Sequence, residues 1–236
     1  MTRTAVVTGA AGGIGSATCK RLADDGWALV AVDLSPRLAD IVAVLEATGA
    51  TVYAVEANLT TKQGLDALEA QVDAAGALEC IVNNAGITRD SRLVNMTEEH
   101  FSEVIDVNLG APLRIIQRLA PKMERGAIVN ISSRAYLGNF GQFNYSLSKG
   151  ALVGITRAFA LSLAPRIRVN AIAPGLIGTE MAMSIPVDVR ERMVSSIPMA
   201  RMGDPSEIAD VVAFLAAPGY ITGEVITVGG GRSLSR

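Results

Sequence analysis

The sequence has little cysteine, histidine or aromatic side chain, and this limits the chemistry open to it. Its two cysteines, Cys19 and Cys80, form no C-x-x-C pair or Cys/His cluster, so the sequence predicts neither a disulfide framework nor a metal site. The single histidine, His100, has no serine or carboxylate at a recognised catalytic spacing. Two unclustered thiols are typical of a reducing compartment, which favours a cytoplasmic protein, although a disulfide between them stays open.

Long hydrophobic runs and blocks of basic residues are also missing. No stretch approaches the roughly 18 unbroken apolar residues of a membrane-spanning helix. The first apolar run ends at Thr8 and is too short for a signal peptide. The formal net charge is -2, without the basic patch of a nucleic-acid-binding protein. The sequence therefore predicts neither a membrane nor a nucleic-acid partner.

What is abundant is apolar surface, arranged in short runs that alternate with helical stretches. Half of the 236 residues are hydrophobic, enough for one large core, and no linker or repeat divides the chain. We predict an α/β fold in a single domain, 1–236, with a parallel sheet covered by helices on both faces. The predicted strands are Thr4–Thr8, Ala28–Val32, Thr51–Val55, Leu78–Val82, Ala127–Ile131, Ile167–Ile172 and Val225–Val228.

A glycine-rich turn follows the first predicted strand and opens a helix. Its glycines Gly9, Gly13 and Gly15 follow the order G-x-x-x-G-x-G rather than G-x-G-x-x-G. Such a turn lets the backbone approach a pyrophosphate, which the helix N-terminus then binds. By itself the turn is explained about as well by an ordinary loop.

Asp33 closes the second predicted strand about 20 positions after the glycines. A carboxylate at this place can accept hydrogen bonds from the ribose hydroxyls of a dinucleotide and would repel a 2′-phosphate. The alternative is a simple helix-entry residue before Ser35 and Pro36. We favour the ribose role because the glycine turn lies upstream, and we therefore expect NAD(H), with NADP(H) possible.

Tyr145 and Lys149 stand four residues apart at the start of a long apolar stretch. On a helix these positions share one face, so both side chains can enter one pocket. A cation near a phenol favours the phenolate and lowers its pKa, giving a proton donor and acceptor that needs no histidine. Taken alone, an exposed surface pair is the more frequent explanation of this spacing.

Further polar groups follow strand ends or interrupt helices. Asn83, Asn84, Ala85 and Gly86 follow the fourth strand, Ser132 and Ser133 follow the fifth, and Pro174 and Gly175 follow the sixth. Asn108 lies inside an apolar helix, where asparagine is a poor helix former, so we expect a buried amide with a partner. Pro112 predicts a kink or break in that helix. A methionine-rich stretch at about 176–201 is predicted to cover the substrate.

With these motifs in order over nearly the whole chain, the sequence resembles the short-chain dehydrogenase/reductase family. The resemblance implies a Rossmann-type, doubly wound sheet of seven parallel strands. It makes Tyr145 the general acid/base, Lys149 its activator, Ser133 the ligand of the substrate oxygen and Asn108 the anchor of a relay water. It also implies a cofactor-binding set of Gly9, Gly12, Gly13, Ile14, Gly15, Asp33, Asn58, Leu59, Asn84, Ala85, Gly86, Tyr145, Lys149, Pro174, Gly175, Ile177 and Thr179.

Two departures from the family pattern bear on the site. The family's usual spacing to the tyrosine selects Ser132, whereas alignment by the strand end selects Ser133, which we prefer because loops absorb deletions. Asn58 stands where many members have an aspartate that touches the adenine, and an amide can still make that contact.

The stretch Asn83 to Asp90 is similar to the branch of 3-oxoacyl-carrier-protein and acetoacetyl-CoA reductases. The resemblance implies a small-molecule substrate, an acyl-CoA or acyl-carrier-protein thioester, and a homotetramer. Many members of that branch use NADPH, in conflict with Asp33. The alternatives are a dehydrogenase of another small alcohol, sugar or diketone, and a dinucleotide sensor without catalysis.

Overall fold

A single parallel sheet of seven strands organises the computed structural model, which describes residues 2–234. The strand order is β3-β2-β1-β4-β5-β6-β7, and every neighbouring pair is parallel. The predicted α/β, Rossmann-type fold is thereby confirmed. The strands are β1 Thr4–Thr8, β2 Ala28–Asp33, β3 Val52–Glu56, β4 Leu78–Asn83, β5 Gly126–Ile131, β6 Ile167–Pro174 and β7 Val225–Val228.

The central strands are apolar on both faces because helices cover both sides of the sheet. In β1, Ala5 and Val7 pack into one hydrophobic cluster while Val6 packs into the other. This alternation follows from the two-residue period of a strand. The free thiols of Cys19 and Cys80 lie fully buried among these layers, and burial raises the pKa of each to about 12.

The helices divide between the two faces. Among residues 2–234 they are α1 Gly13–Asp24, α2 Leu38–Glu46, α3 Lys62–Ala75, α4 Glu98–Ile105, α5 Ala111–Leu119, α6 Phe143–Leu163, α7 Glu180–Met183, α8 Val187–Ser195 and α9 Pro205–Ala216. Helices α1, α2 and α9 pack on one side, and α3, α5 and α6 on the other. No helix in this part of the chain is both long and apolar enough to cross a membrane.

Local sequence signals set several helix boundaries. Asp204 caps α9 in a capping box with Glu207, as its Asp-Pro-Ser-Glu start predicts. The long helix that carries Asn108 is interrupted by a π-helical segment, Asp106–Gly110, and α5 begins directly after it with Pro112 in its first turn. The break predicted from Pro112 is present, and it takes the form of a π segment before the proline.

The strand order reverses between β1 and β4, and this reversal places the site. The connection after β1 leads to β2 on one side, and the connection after β4 leads to β5 on the other side. A crevice therefore opens between them at the carboxyl ends of β1 and β4. The glycine turn follows β1, and the segment Asn84 to Gly86 follows β4. Both therefore lie at the rim of this crevice.

Candidate active site

A cleft of about 900 Å³ opens along the carboxyl edge of the sheet. Its size suits a drug-sized or larger ligand. It brings together sixteen of the seventeen residues predicted to bind cofactor, namely Gly9, Gly12, Gly13, Ile14, Asp33, Asn58, Leu59, Asn84, Ala85, Gly86, Tyr145, Lys149, Pro174, Gly175, Ile177 and Thr179. Ser133 also lines it. Gly15 and Asn108 lie behind its wall.

Side chains hold the glycine turn against the end of β4. The Thr8 hydroxyl oxygen accepts hydrogen bonds from the backbone N–H groups of Asn84 and Ala85, at 3.0 Å each. In return, the Asn84 amide donates to the carbonyls of Thr8 and Gly9 at 2.9 and 3.1 Å. A Cβ on Gly9 would lie 2.8 Å from that amide nitrogen, and Gly9 has a φ of +66°. Thr8, which the sequence did not single out, thus joins the two walls of the crevice.

The turn and the start of α1 form a cradle that fits a pyrophosphate. A Cβ on Gly15 would lie 1.9 Å from the Gly9 carbonyl oxygen, so Gly15 allows helix and turn to pack and does not face the ligand. Gly12 precedes the helix without a side-chain cap, which leaves the first N–H groups of α1 to bind an anion. The residues present therefore fit a dinucleotide.

Asp33 is tied to the glycine turn by its own carboxylate. One oxygen accepts from the Ala11 N–H and the other from the Ser35 N–H, each at 2.9 Å. A carboxylate has about four lone-pair sites, so both oxygens can still accept from ribose hydroxyls. Arg37, four residues on, forms an ion pair with Glu180 of α7, which raises the pKa of Arg37 and lowers that of Glu180.

Tyr145 and Ser133 meet inside the cleft. The Ser133 hydroxyl lies beside the Tyr145 phenol and lowers its pKa, and Ser133 Oγ accepts from the Ala135 N–H at 3.1 Å. The neighbouring Ser132 turns away, and its buried hydroxyl donates to the Lys149 carbonyl at 2.9 Å. The geometry thus favours Ser133 for the substrate oxygen.

Lys149 is buried next to the phenol. Its side-chain nitrogen donates to the Ile131 carbonyl at 2.8 Å and lies 5.8 Å from the centroid of the Tyr145 ring. Burial lowers the pKa of Lys149 to about 8. A Cβ on Gly86 would stand 3.2 Å from this nitrogen, so the small residue after β4 makes room for the ammonium group.

The pKa of Tyr145 differs from the sequence-based expectation. Burial raises it, the Ser133 hydroxyl lowers it, and the charge of Asp90 raises it further, for a net increase. The prediction that Lys149 lowers this pKa is not met in this arrangement. The reason is that the ammonium is held at the Ile131 carbonyl, while the phenol is surrounded by protein.

Asn108 is fully buried and has several partners, as expected of an asparagine inside an apolar helix. Its Oδ1 accepts from the Ile87 N–H at 2.8 Å, and its Nδ2 donates to the Ile87 carbonyl and the Ser148 hydroxyl at 3.0 and 3.1 Å. The side chain therefore ties the loop after β4 to α6. Its role as anchor of a relay water stays a prediction.

The remaining predicted residues line the outer parts of the cleft. Asn58 Oδ1 accepts from the backbone and the hydroxyl of Thr60, which fixes the turn after β3. A Cβ on Gly13 would lie 2.9 Å from the methyl group of Thr179, so the loop after β6 touches the glycine turn. Cleft residues that sequence reasoning missed include Asp90, Arg134, Glu180 and Arg232. Arg134 could have been found as the neighbour of Ser133, but the others come from distant loops.

A cleft with a glycine cradle, a ribose-directed carboxylate and a Ser-Tyr-Lys cluster defines the class of a nicotinamide-dependent oxidoreductase. Comparisons with known proteins agree. Residues 9–233 match the family model described as "Enoyl-(Acyl carrier protein) reductase". The chain is 42% identical over 238 residues to "Nodulation protein G" of Azospirillum brasilense, covering 96% of each. It is 42% identical over 235 residues to "3-oxoacyl-[acyl-carrier-protein] reductase FabG" of Thermotoga maritima, again covering 96% of each.

A solved structure shows the same fold. It is a blue fluorescent protein from a metagenomic library in complex with NADPH, which matches with a TM-score of 0.92 and 32% identity over 98% of this chain and 97% of that one. The chain belongs to the short-chain dehydrogenase/reductase family. It is an NAD(P)-dependent oxidoreductase, as its motifs predict.

Proposed function

We propose that the protein transfers a hydride between a nicotinamide cofactor and a secondary alcohol or ketone, namely a 3-oxoacyl or 3-hydroxyacyl thioester. The observation that carries this proposal is that Ser133, Tyr145 and the buried Lys149 line one cleft, with the Lys149 nitrogen 5.8 Å from the centroid of the Tyr145 ring. A binding protein has no need of a proton donor. The similarity to the Thermotoga maritima reductase supports the thioester substrate.

The proposed mechanism assigns one task to each side chain. A nicotinamide cofactor held by the glycine turn and Asp33 would supply or take the hydride. In the reducing direction, Ser133 donates a hydrogen bond to the substrate oxygen and Tyr145 donates the proton to it. Lys149, with a pKa of about 8, is mostly charged at neutral pH. In the structure its ammonium is held at the Ile131 carbonyl, so we propose that it turns to the phenolate during the reaction and stabilises it there. Holding both reactants in one cleft supplies much of the rate enhancement.

We further propose that NAD(H) is preferred to NADP(H). Asp33 lies on the end of β2, fixed by two backbone hydrogen bonds, and a 2′-phosphate there would meet a like charge. Arg37, the cation that could offset this repulsion, is engaged by Glu180. The NADPH in the similar solved structure belongs to that protein and argues for testing both cofactors.

A substrate panel assayed with both cofactors tests the proposal. The absorbance of NADH and NADPH would be followed with acetoacetyl-CoA, ethyl acetoacetate, simple ketones, sugars and diketones. We expect turnover of the 3-oxo compounds, with deuterium from the 4-deuterated cofactor appearing at C3 of the product. Cofactor binding without turnover of any compound would favour the sensor alternative, and turnover of sugars or diketones alone would replace the substrate class.

A further inference from the structure

Two arginines line the cleft from segments that follow β5 and β7, the two strands on either side of β6. Strands β5, β6 and β7 are adjacent, so the segments that follow them meet at one edge. Arg134 begins the short 3₁₀ turn after Ser133, and Arg232 follows two glycines after β7, Gly230 and Gly231, whose φ angles are +58° and +84°. Both arginines line the cleft that holds Tyr145. We call Arg134 and Arg232 the arginine pair.

The Arg134 guanidinium lies in this wall of the cleft, and part of its hydrogen-bonding capacity is not used by the protein. Its Nε is buried and has no hydrogen-bond partner among the described residues. Within residues 2–234 no carboxylate forms an ion pair with it. A guanidinium with a buried, unsatisfied N–H is a costly group, and an oxyanion from a ligand can satisfy it with two parallel bonds.

The second arginine strengthens the same positive field. Burial lowers the pKa of Arg232, and the positive charge of Arg134 lowers it further. An oxyanion bound beside both arginines would lower the electrostatic cost of holding two cations in one cleft.

Two other charged residues of the cleft, Arg89 and Asp90, have protein partners. Arg89 makes a two-pronged contact with Glu103, at 2.9 and 2.8 Å. Asp90, whose charge acts on the Tyr145 phenol, accepts a hydrogen bond from the Gln142 amide at 2.8 Å. An anion would avoid the wall of Asp90 and lie on the side of the arginine pair.

We propose that the arginine pair binds an anionic group of the substrate, a carboxylate or a phosphate, and makes the enzyme selective for anionic ketones. This inference rests on the proposed function, because it names a substrate feature read at the same cleft. The arginine pair lies on the β5–β7 side of the cleft, away from the pyrophosphate cradle after β1. We therefore assign the pair to recognition of the substrate rather than of the cofactor.

Three 3-oxo substrates with matched reactive carbonyls test the proposal. Ethyl acetoacetate is neutral, acetoacetate carries a carboxylate and acetoacetyl-CoA carries phosphates. Their kcat/KM values would be measured for the native chain, Arg134→Gln and Arg232→Gln. Arg157→Gln is the matched control, since Arg157 is an exposed arginine of α6 outside the cleft.

We expect native kcat/KM to be higher for at least one anionic substrate than for the ester. In both variants of the pair, but not in Arg157→Gln, the ratio of anionic to neutral kcat/KM should fall about tenfold or more. A fall for acetoacetate alone identifies a carboxylate site, and a fall for acetoacetyl-CoA alone identifies a phosphate site. An unchanged ratio for both anionic substrates in either variant would overturn the proposal.

Calorimetry separates this inference from the proposed function. If no 3-oxo compound is turned over, the proposed function fails, and binding of acetoacetate and of CoA to the NAD⁺-saturated protein still tests the anion site. Weaker binding of one of them in both variants than in Arg157→Gln would support the site. Equal affinities, or no binding to the native chain, would refute it.

Discussion

Lys149 is a cation almost without solvent contact, at 3% exposure, and its pKa falls from 10.5 to about 8. The cause is desolvation, which burial of an ammonium imposes and which the single Ile131 carbonyl bond does not offset. A functional site can keep such a group at the expense of stability, and the proposed mechanism needs this charge beside the phenol.

The free energy of unfolding should therefore rise with pH where Lys149 is the group that titrates. Between about pH 8 and 10.5 the unfolded chain holds this proton and the folded chain has lost it, so stability increases, by up to about 1.4 kcal/mol per pH unit. The difference in unfolding free energy between the native chain and Lys149→Met, from urea titrations at several pH values, isolates this contribution. A difference that does not change with pH would contradict the buried charge.

Cofactor preference should depend on Asp33 and on the partner of Arg37. Asp33→Ala removes the like charge facing a 2′-phosphate, and Glu180→Gln releases Arg37 from its ion pair. We expect each change to shift the kcat/KM ratio toward NADPH, by roughly tenfold for Asp33→Ala. Glu207→Gln, which breaks a similar ion pair with Arg201 away from the cleft, is the control. A native preference for NADPH, or no shift in Asp33→Ala, would overturn the assignment.

The sequence predicted some side-chain positions well and others poorly, for physical reasons. Tyr145 and Lys149 could be predicted from the sequence because helical spacing alone puts them on one face. The choice between Ser132 and Ser133 depends on which hydroxyl turns inward at the end of β5, and only the fold decides that. The pKa of Tyr145 depends on burial and on Asp90, which lies 55 positions away, and no local pattern reports it.

The π-helical segment that joins α4 and α5 places Asn108 in the core. Neither Pro112 nor the apolar pattern reveals that the break consists of an expanded turn, because the extra residue is accommodated by packing rather than by a distinct sequence signal. Two short helices, α7 and α8, form the segment predicted to cover the substrate, with a small apolar cluster of their own. That this segment covers the substrate stays a prediction.

Loss of the Asn108 side chain should loosen the link between the loop after β4 and α6. Asn108→Ala leaves the N–H and carbonyl of Ile87 without their partners, which should lower the free energy of unfolding by about 1–3 kcal/mol. Asn95→Ala, at an exposed asparagine, is the control and should change stability by less than about 0.5 kcal/mol. Equal effects of the two changes in denaturant titrations would remove Asn108 from this role.

The overall architecture was the property that the sequence predicted best. Strand, glycine turn and helix repeat with connections that permit a parallel sheet, and seven predicted strands match those of the structure. Ion pairs between residues that are distant in the sequence could not be predicted from it. Arg37 follows β2 and Glu180 follows β6, with three strands between them in the sheet, so their ion pair depends on how the segment after β6 crosses the cleft.

We propose that the protein assembles as a homotetramer through the exposed apolar side of α6. Leu147 and Leu161, 46% and 84% exposed, lie 14 residues apart, about four helical turns, and so share one side. Light scattering should give four times the chain mass, and Leu161→Lys should reduce it. Val44→Lys, at a residue of α2 that is 65% exposed, should not. A native monomer at micromolar concentration would contradict this assembly.

The turnover of Tyr145→Phe tests the proposed proton transfer most directly. Removing the phenol oxygen takes away the proton donor but keeps the ring and Lys149, so kcat should fall by about a hundredfold or more. Affinity for NADH, measured by fluorescence titration, should stay nearly unchanged. Near-normal turnover with a correctly folded variant would contradict the role of Tyr145 and, with it, the proposed mechanism.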